Sequence, residues 1–323
     1  MNTKLNNARA AKADEFYTQY EDIDKEVSHY PNAFRNKVVY CNCDNPYESN
    51  FFNYFVINFK SLGLKKLICT CYDNTSSSNT GMLWDTPKMY DKAYKVEITD
   101  ALNIDVSSIE EVKALLSKDN VAKHLKGNGD FRSEECIELL DQCDIVATNP
   151  PFSLFKEFIA LVARHKKQFL VLGNQNAITT KDVIPLICSN NLWFGYSIHS
   201  GDRLFRVPDT YPLEANTCKQ DELGIKYIAV TGVRWFTNLD YAERHIPLEL
   251  SCTYDYNKYL NCENCEAINI DKTKDIPNDY YDTMAVPITF LDKWCPEQFD
   301  IFGFVTPIIN GKAIYKRLLI KRK

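Results

Sequence analysis

Residues 144–152 read Asp-Ile-Val-Ala-Thr-Asn-Pro-Pro-Phe, an apolar run that opens into Asn149, Pro150, Pro151 and Phe152. A residue that precedes proline is pushed out of the helical region into an extended conformation. Each proline lacks a backbone N–H and fixes its own φ. The loop is therefore stiff, and it presents acceptors (the Asn149 side-chain oxygen and the carbonyls) with few competing donors. Phe152 adds an aromatic plate at once. The complementary ligand is a planar ring bearing an amine with two hydrogens, such as adenine or cytosine. Its N–H groups would meet the acceptors while the ring stacks on Phe152. A rigid turn between a buried strand and a helix is the plainer reading of the same residues.

Four further blocks accompany the loop in order. They are Asp14-Glu15-Phe16-Tyr17-Thr18-Gln19-Tyr20, Val38-Val39-Tyr40-Cys41-Asn42-Cys43-Asp44, Gly129-Asp130-Phe131-Arg132-Ser133 and Val286-Pro287-Ile288-Thr289-Phe290-Leu291. With the Asn-Pro-Pro-Phe they resemble, over nearly the whole chain, the EcoRI-type family of adenine-N6 DNA methyltransferases. The resemblance implies transfer of a methyl group from S-adenosylmethionine (SAM) to the exocyclic amine of an adenine in duplex DNA, at one site. That activity serves restriction–modification or the protection of phage or host DNA. The amine cannot be reached inside the duplex, so the base must be flipped out. No obligatory metal is implied. A companion restriction endonuclease would share the target site without a stable complex.

The same resemblance distributes roles. Phe16, Tyr17 and Thr18 match the block that closes over the cofactor, and Asp130 with Phe131 the block that reads the SAM adenine. Cys43, Asp44 and Asn45 form the first cofactor loop, where Asp44 is placed to take the methionine amino group. That loop lacks the glycines of most methyltransferases, and SAM has no phosphate for a glycine loop to cradle. Asp73, at the end of the second strand, is the candidate for the ribose hydroxyls, and Asn149 borders both ligands. At the target amine, Asn149 Oδ1 and the Pro150 carbonyl would favour a pyramidal nitrogen in the transition state, which is preorganised electrostatic help. Pro151 stiffens the loop, and Phe152 stacks the base.

The elements needed to hold these residues are legible in part. Residues 37–42 are a β-branched and aromatic run that predicts a strand. Asn45 as cap, Pro46 at the first helical position and Glu48 three residues on predict a helix start. That end would suit the SAM carboxylate. Residues 66–72 predict a second strand and 74–81 a polar loop. Ser108 with Glu111 opens a helix through 116. Then come a strand at 145–148, a helix at 155–163, strands at 169–172 and 192–196, and between these a helix at 180–188. Strands alternating with helices imply a mostly parallel sheet covered on both faces. The expected fold is thus an α/β, Rossmann-like SAM-dependent methyltransferase with ligands at the carboxyl ends of the strands. Beyond 197 the pattern changes to short strand-like runs at 203–207, 226–230 and 233–239, followed by a segment rich in Asn, Asp, Cys and Tyr. Residues 1–200, completed by strands within 226–240, are expected to form the SAM-binding and catalytic core. Residues 201–323 are the expected smaller, irregular DNA-recognition region, in which Arg203, Arg206, Arg234, Lys272 and Lys274 are candidate contacts to bases or phosphates. Arg244 and Lys258 belong to the same pool.

Composition narrows the classes. The 323 residues are 45% hydrophobic, enough to fill a core, and carry a formal charge of −5. Nucleic-acid binding depends on local rather than net charge. Lys4, Arg9 and Lys12 stand without acids at one end, and Lys312, Lys316, Arg317, Lys321, Arg322 and Lys323 cluster at the other. Charge interrupts every apolar stretch, so no membrane span is expected. No secretory leader is evident, and the 12 cysteines are expected as reduced thiols in a cytoplasm. Cys41, Cys43, Cys69 and Cys71 read as core thiols rather than zinc ligands, and Cys262-x-x-Cys265 lacks a second ligand pair. Other readings of the loop are transfer to RNA adenine or to cytosine N4, and a sequence-specific DNA-binding protein that has lost catalysis.

Overall fold

A computed structural model describes residues 18–72, 93–99, 106–117, 121–207, 218–222 and 224–323. The β-branched and aromatic runs become strands wherever both faces can be buried. Tyr20–Val27 (α1) leads to Val38–Cys41 (β1), Asn50–Ile57 (α2), Lys66–Thr70 (β2) and Tyr94–Thr99 (β3). Ile109–Leu116 (α3), Ala122–His124 (β4), Glu134–Gln142 (α4), Ile145–Thr148 (β5), Phe155–Arg164 (α5) and Gln168–Asn174 (β6) follow. Ile184–Cys188 (α6), Trp193–Phe194 (β7), Asp202–Arg206 (β8), Cys218–Gln220 (β9), Lys226–Thr231 (β10) and Val233–Thr237 (β11) come next.

Eight of these strands make one sheet in the order β4-β3-β2-β1-β5-β6-β11-β7. The four central strands, β2, β1, β5 and β6, run parallel. Antiparallel strands complete both sides: β3 and β4 beyond β2, β11 and β7 beyond β6. The chain moves from β1 to β2 on one side, and β5 joins β1 on the other. The carboxyl ends of β1 and β5 therefore border a topological switch point, where open α/β sheets bind ligands.

Side chains alternate between two cores. Val39, Cys41, Leu67, Cys69, Ile145 and Ala147 face α1, α2 and α3. Val38, Tyr40, Ile68 and Val146 face α4, α5 and α6. Burial on both faces is why β1 and β5 read as unbroken apolar runs rather than as alternation. Within 226–240, β11 joins the large sheet, and its Trp235 meets Phe51 of α2 edge-on at 5.8 Å.

Residues beyond 200 are more regular than the sequence suggests. The strands β8, β10 and β9 form a three-stranded sheet, and Phe205, Val207 and Ile228 enter the first core. Ile268–Asn269 (β12), Met284–Pro287 (β13), Phe299–Val305 (β14) and Arg317–Arg322 (β17) form a four-stranded sheet in the order β12-β13-β17-β14. Ile308–Ile309 (β15) and Lys312–Ala313 (β16) pair separately. Met284, Val286, Phe299, Ile301, Leu318 and Ile320 join the second core. Among the described residues, no helix is long and apolar enough to cross a membrane.

Candidate active site

The first loop differs from the helix start expected at Pro46. The α2 helix begins at Asn50, and its cap is Ser49, whose hydroxyl accepts from the N–H groups of Phe51 (3.1 Å) and Phe52 (3.4 Å). Asn45 instead closes a tight turn, accepting from Tyr47 N–H at 3.1 Å and from the Tyr94 hydroxyl at 2.9 Å. A serine two to three residues before the donors satisfies them better than Asn45 can from farther back. The expected anion site at that helix end is thus already capped.

Asp44 is 6% exposed. Its Oδ1 accepts from Ser49 Oγ at 2.5 Å and its Oδ2 from Thr148 Oγ1 at 2.5 Å. Its carbonyl accepts from Cys69 Sγ at 3.2 Å and its N–H donates to the Thr70 carbonyl. Through its buried carboxylate and its backbone, Asp44 therefore ties together the carboxyl ends of β1, β2 and β5 and the start of α2. Burial pushes its pKa up to about 6, against the pull of the Ser49 and Thr148 hydroxyls. Its two oxygens are spoken for, so Asp44 acts here as the anchor of residue 148, immediately before Asn149. Thr18 lies near the same end: its carbonyl accepts from Asn50 Nδ2 at 2.7 Å, and its own buried hydroxyl has no partner among the described residues. Cys43 is half-buried beside Asn42.

The Asp130 loop reaches the same edge of the sheet. Gly129 has φ +74, and a Cβ there would lie 2.1 Å from the Cys71 carbonyl oxygen. Only glycine lets this backbone pass so close to the end of β2. Asp130 is clamped by Arg132: Oδ1 accepts from its N–H and Nε at 2.9 Å each, and Oδ2 from Nη2 at 2.7 Å. Arg132 holds the Asp130 carboxyl below the usual carboxylate range, and it also reaches Glu157 of α5 at 2.9 Å. Phe131 is buried against Phe158, with ring centroids 5.3 Å apart. It serves the core under the loop rather than offering an open face.

The loop at 149–152 leaves β5 as expected. Pro150 is buried, and the Pro151 carbonyl accepts from Leu154 N–H at 2.9 Å, closing a turn into α5. Phe152 is half-buried and meets Phe205 of β8 edge-on, centroids 6.3 Å apart and planes at 89°. The structure thus brings Thr18, Asp44, Asn45, Asp130 and Asn149–Phe152 to one edge of the sheet. Phe16, Tyr17 and Asp73, like the 74–81 loop, lie outside the described residues.

The DNA candidates separate. Arg206, Lys272 and Lys274 are exposed. Arg203 lies on the inner side of β8, 3.9 Å from Asp22. Arg234 is withdrawn from any DNA surface: its side chain is 4% exposed, paired with Asp292 at 3.0 Å, and donates to the carbonyls of Val233 and His199. It sits on β11, inside the sheet, where an unpaired cation would be costly. Arg244 is likewise buried, over the Trp193 ring at 3.6 Å. Lys258 is exposed near Asp275. Sequence reasoning missed Ser49, Thr148, Arg132 and Phe205. The Ser49 signal was available, since a serine stands directly before the aromatic run of α2. Burial pushes the Cys41 and Cys69 thiols up, and they sit in the first core as thiols.

The chain as a whole has counterparts among known proteins. The family described as adenine-specific methyltransferase EcoRI matches residues 4–323. The chain belongs to that family. It is 42% identical to the type II methyltransferase M.EcoRI of Escherichia coli, over 100% of this chain and 97% of that one. It is 39% identical to the type II methyltransferase M.MpnI of Mycoplasma pneumoniae, covering 92% of this chain and 84% of the relative. A third relative, the type II methyltransferase M.MgeORF184P of Mycoplasma genitalium, is 34% identical over 99% and 98% of the two chains. No solved structure matches. The chain is therefore an adenine-specific methyltransferase, and its central parallel strands with helices on both faces form the Rossmann-like core of that class.

Proposed function

We propose that this chain transfers the methyl group of SAM to N6 of an adenine flipped out of duplex DNA, at one recognition sequence, as the modification half of a restriction–modification pair. The observation that supports this most is the placement of 149–152 at the switch point, with Thr148 pinned by Asp44 at 2.5 Å. The residues present fit SAM. Thr18 keeps a buried hydroxyl without a partner among the described residues near the start of α2, and Gly129 carries the Asp130 loop close against the end of β2. Thr18, the 43–45 loop, Asp130 and Asn149 would hold the cofactor, joined by Phe16, Tyr17 and Asp73. When bound, SAM supplies an electrophilic methyl group.

The chain's own work is positioning. Asn149 Oδ1 and the Pro150 carbonyl accept the two N6 hydrogens and hold the lone pair toward the methyl. Pro151 spends its carbonyl on the turn that sets this geometry. Phe152 stacks the extruded ring, a contact worth about 1–3 kcal/mol per base. Orientation of this kind replaces a general base, because the proton leaves after the amine has been alkylated. Residues 1–200 with β11 are the catalytic part; within 201–323, Arg206, Lys272 and Lys274 are the exposed candidates for DNA contact. A nuclease that cuts unmodified copies of the same site would be the functional partner, in the same cytoplasm.

Incubation with SAM labelled in its methyl group, together with duplex DNA, RNA or neither, tests the reading. The expected product is N6-methyladenine in duplex DNA. Label in RNA alone, or on cytosine N4, would replace the reading, and tight DNA binding without transfer would make the chain a binding module.

A further inference from the structure

The three-stranded sheet beyond 200 has two unlike faces. Phe205, Ile228 and Cys218 are register partners across β8, β10 and β9, and this row points into the first core. One residue along, Arg206, Tyr227 and Lys219 form the next row. Successive residues of a strand point to opposite faces, so this row points outward. Arg206 and Lys219 are exposed, and Leu204, on the same outer face, is 48% exposed. The inner row reaches the catalytic loop directly, because Phe205 is the residue whose ring meets Phe152 edge-on at 6.3 Å. Edge-to-face pairs have a preferred geometry and resist rotation of either ring. Phe152 is half-buried with its side chain packed against the first core, and Phe205 is one of the residues that limit its rotation.

We propose that this sheet couples duplex contact to base capture: the outer row of Arg206, Tyr227 and Lys219 grips the DNA backbone, while Phe205 is a positioning residue that holds Phe152 ready to stack the flipped base. The inference rests on the adenine reading above. The occupant follows from charge and type. Two cations flank a phenol that can hydrogen-bond phosphate; the acid on the same face, Asp202, lies at the far end of β8 beyond Leu204, so the end that carries Arg206, Tyr227 and Lys219 is the one that suits a polyanion. A duplex held there transmits its position through a sheet one residue thick to the ring that receives the extruded base.

The target sequence is first read from the DNA of cells expressing the chain. One set of duplexes then carries 2-aminopurine at the target adenine, whose fluorescence rises on extrusion; methyl transfer is read on matching duplexes that keep the adenine, because 2-aminopurine has no N6 amine to accept the group. Phe205→Leu keeps an apolar core residue and removes the edge contact. It should bind the duplex within about twofold of the parent, yet transfer about tenfold more slowly in a single turnover and give a smaller fluorescence rise, within the range that stacking losses produce. Ile228→Ala, in the same row of the same sheet, should lower Tm and leave the fluorescence rise intact. Arg206→Ala with Lys219→Ala should weaken duplex binding and flatten the plot of log affinity against log salt by about two. Parental extrusion and rate in Phe205→Leu, or an equal loss in Ile228→Ala, would overturn the positioning role. Unchanged affinity and salt slope in the double variant would overturn the DNA face. A parent that transfers no methyl to duplex DNA would sink the adenine reading itself, and the coupling with it.

Discussion

Asp44 carries a charge where burial disfavours it, and two hydroxyls compensate. Its folded pKa of about 6 lies above the ordinary value of 3.8. The folded chain therefore binds this proton more tightly than the unfolded chain does. The stability linked to that proton is fully present below about pH 4 and is lost as pH rises through 6. A shift of this size costs about 3 kcal/mol at neutral pH, at about 1.4 kcal/mol per unit. Asp44→Asn removes the buried charge but leaves only one acceptor for Ser49 and Thr148. The difference in Tm between variant and parent should thus move in the variant's favour between pH 4 and 7, while methyl transfer slows at every pH. A difference in Tm that does not depend on pH would refute this account of Asp44. Asn149 to Phe152 were legible in the sequence because their chemistry is local: two prolines, one amide and one ring. The anchoring role of Asp44 was not, because its partner Thr148 lies 104 residues away.

At the scale of elements, the join between the 149–152 loop and α5 has no slack. A Cβ on Gly173 of β6 would lie 2.4–2.8 Å from three ring atoms of Phe155, the first residue of α5. Gly173→Ala should force that ring and the loop before it to move, costing about 1–3 kcal/mol as overpacking does. Activity should fall further than DNA affinity, because the displaced helix start follows Phe152 by three residues. Thermal melts and transfer rates on one preparation check this, and a variant with parental melting and parental rate would contradict it. The expected strands β1, β2, β5 and β6 and the helix after Ser108 were legible from apolar runs and a capping serine. Ser108 accepts from Glu111 N–H at 3.2 Å, as an N-cap does, while the Glu111 carboxylate accepts from Ser107. Tyr94–Thr99 went unread although its burial alternates strictly. The α2 start was misplaced because Asn-Pro at 45–46 also suits a turn.

For the whole molecule, the sequence divides more sharply at 200 than the structure does. Composition shifts there, but Phe205 and Ile228 fill one core of the large sheet, and Met284, Phe299 and Ile320 fill the other. Packing between residues so far apart in the chain leaves no local pattern to read. The buried pair of Arg234 on β11 and Asp292, 3.0 Å apart, bolts these parts together. Asp292→Ala should cost about 3–5 kcal/mol by stranding a buried cation, whereas replacing both residues by apolar ones of similar size should cost much less. Chemical denaturation of the single and double variants decides it; equal losses would mean that the pair is not a unit. The claim on which everything else depends is that the Asn149 amide oxygen acts on the target amine. Its most direct test compares Asn149→Ala with the parent in single-turnover methyl transfer to duplex DNA and in SAM binding by calorimetry. The account predicts transfer reduced by at least about a hundredfold, as for loss of a preorganised polar group at a reacting centre, with SAM affinity largely kept. Transfer at the parental rate, or loss of SAM binding in step with activity, would contradict it.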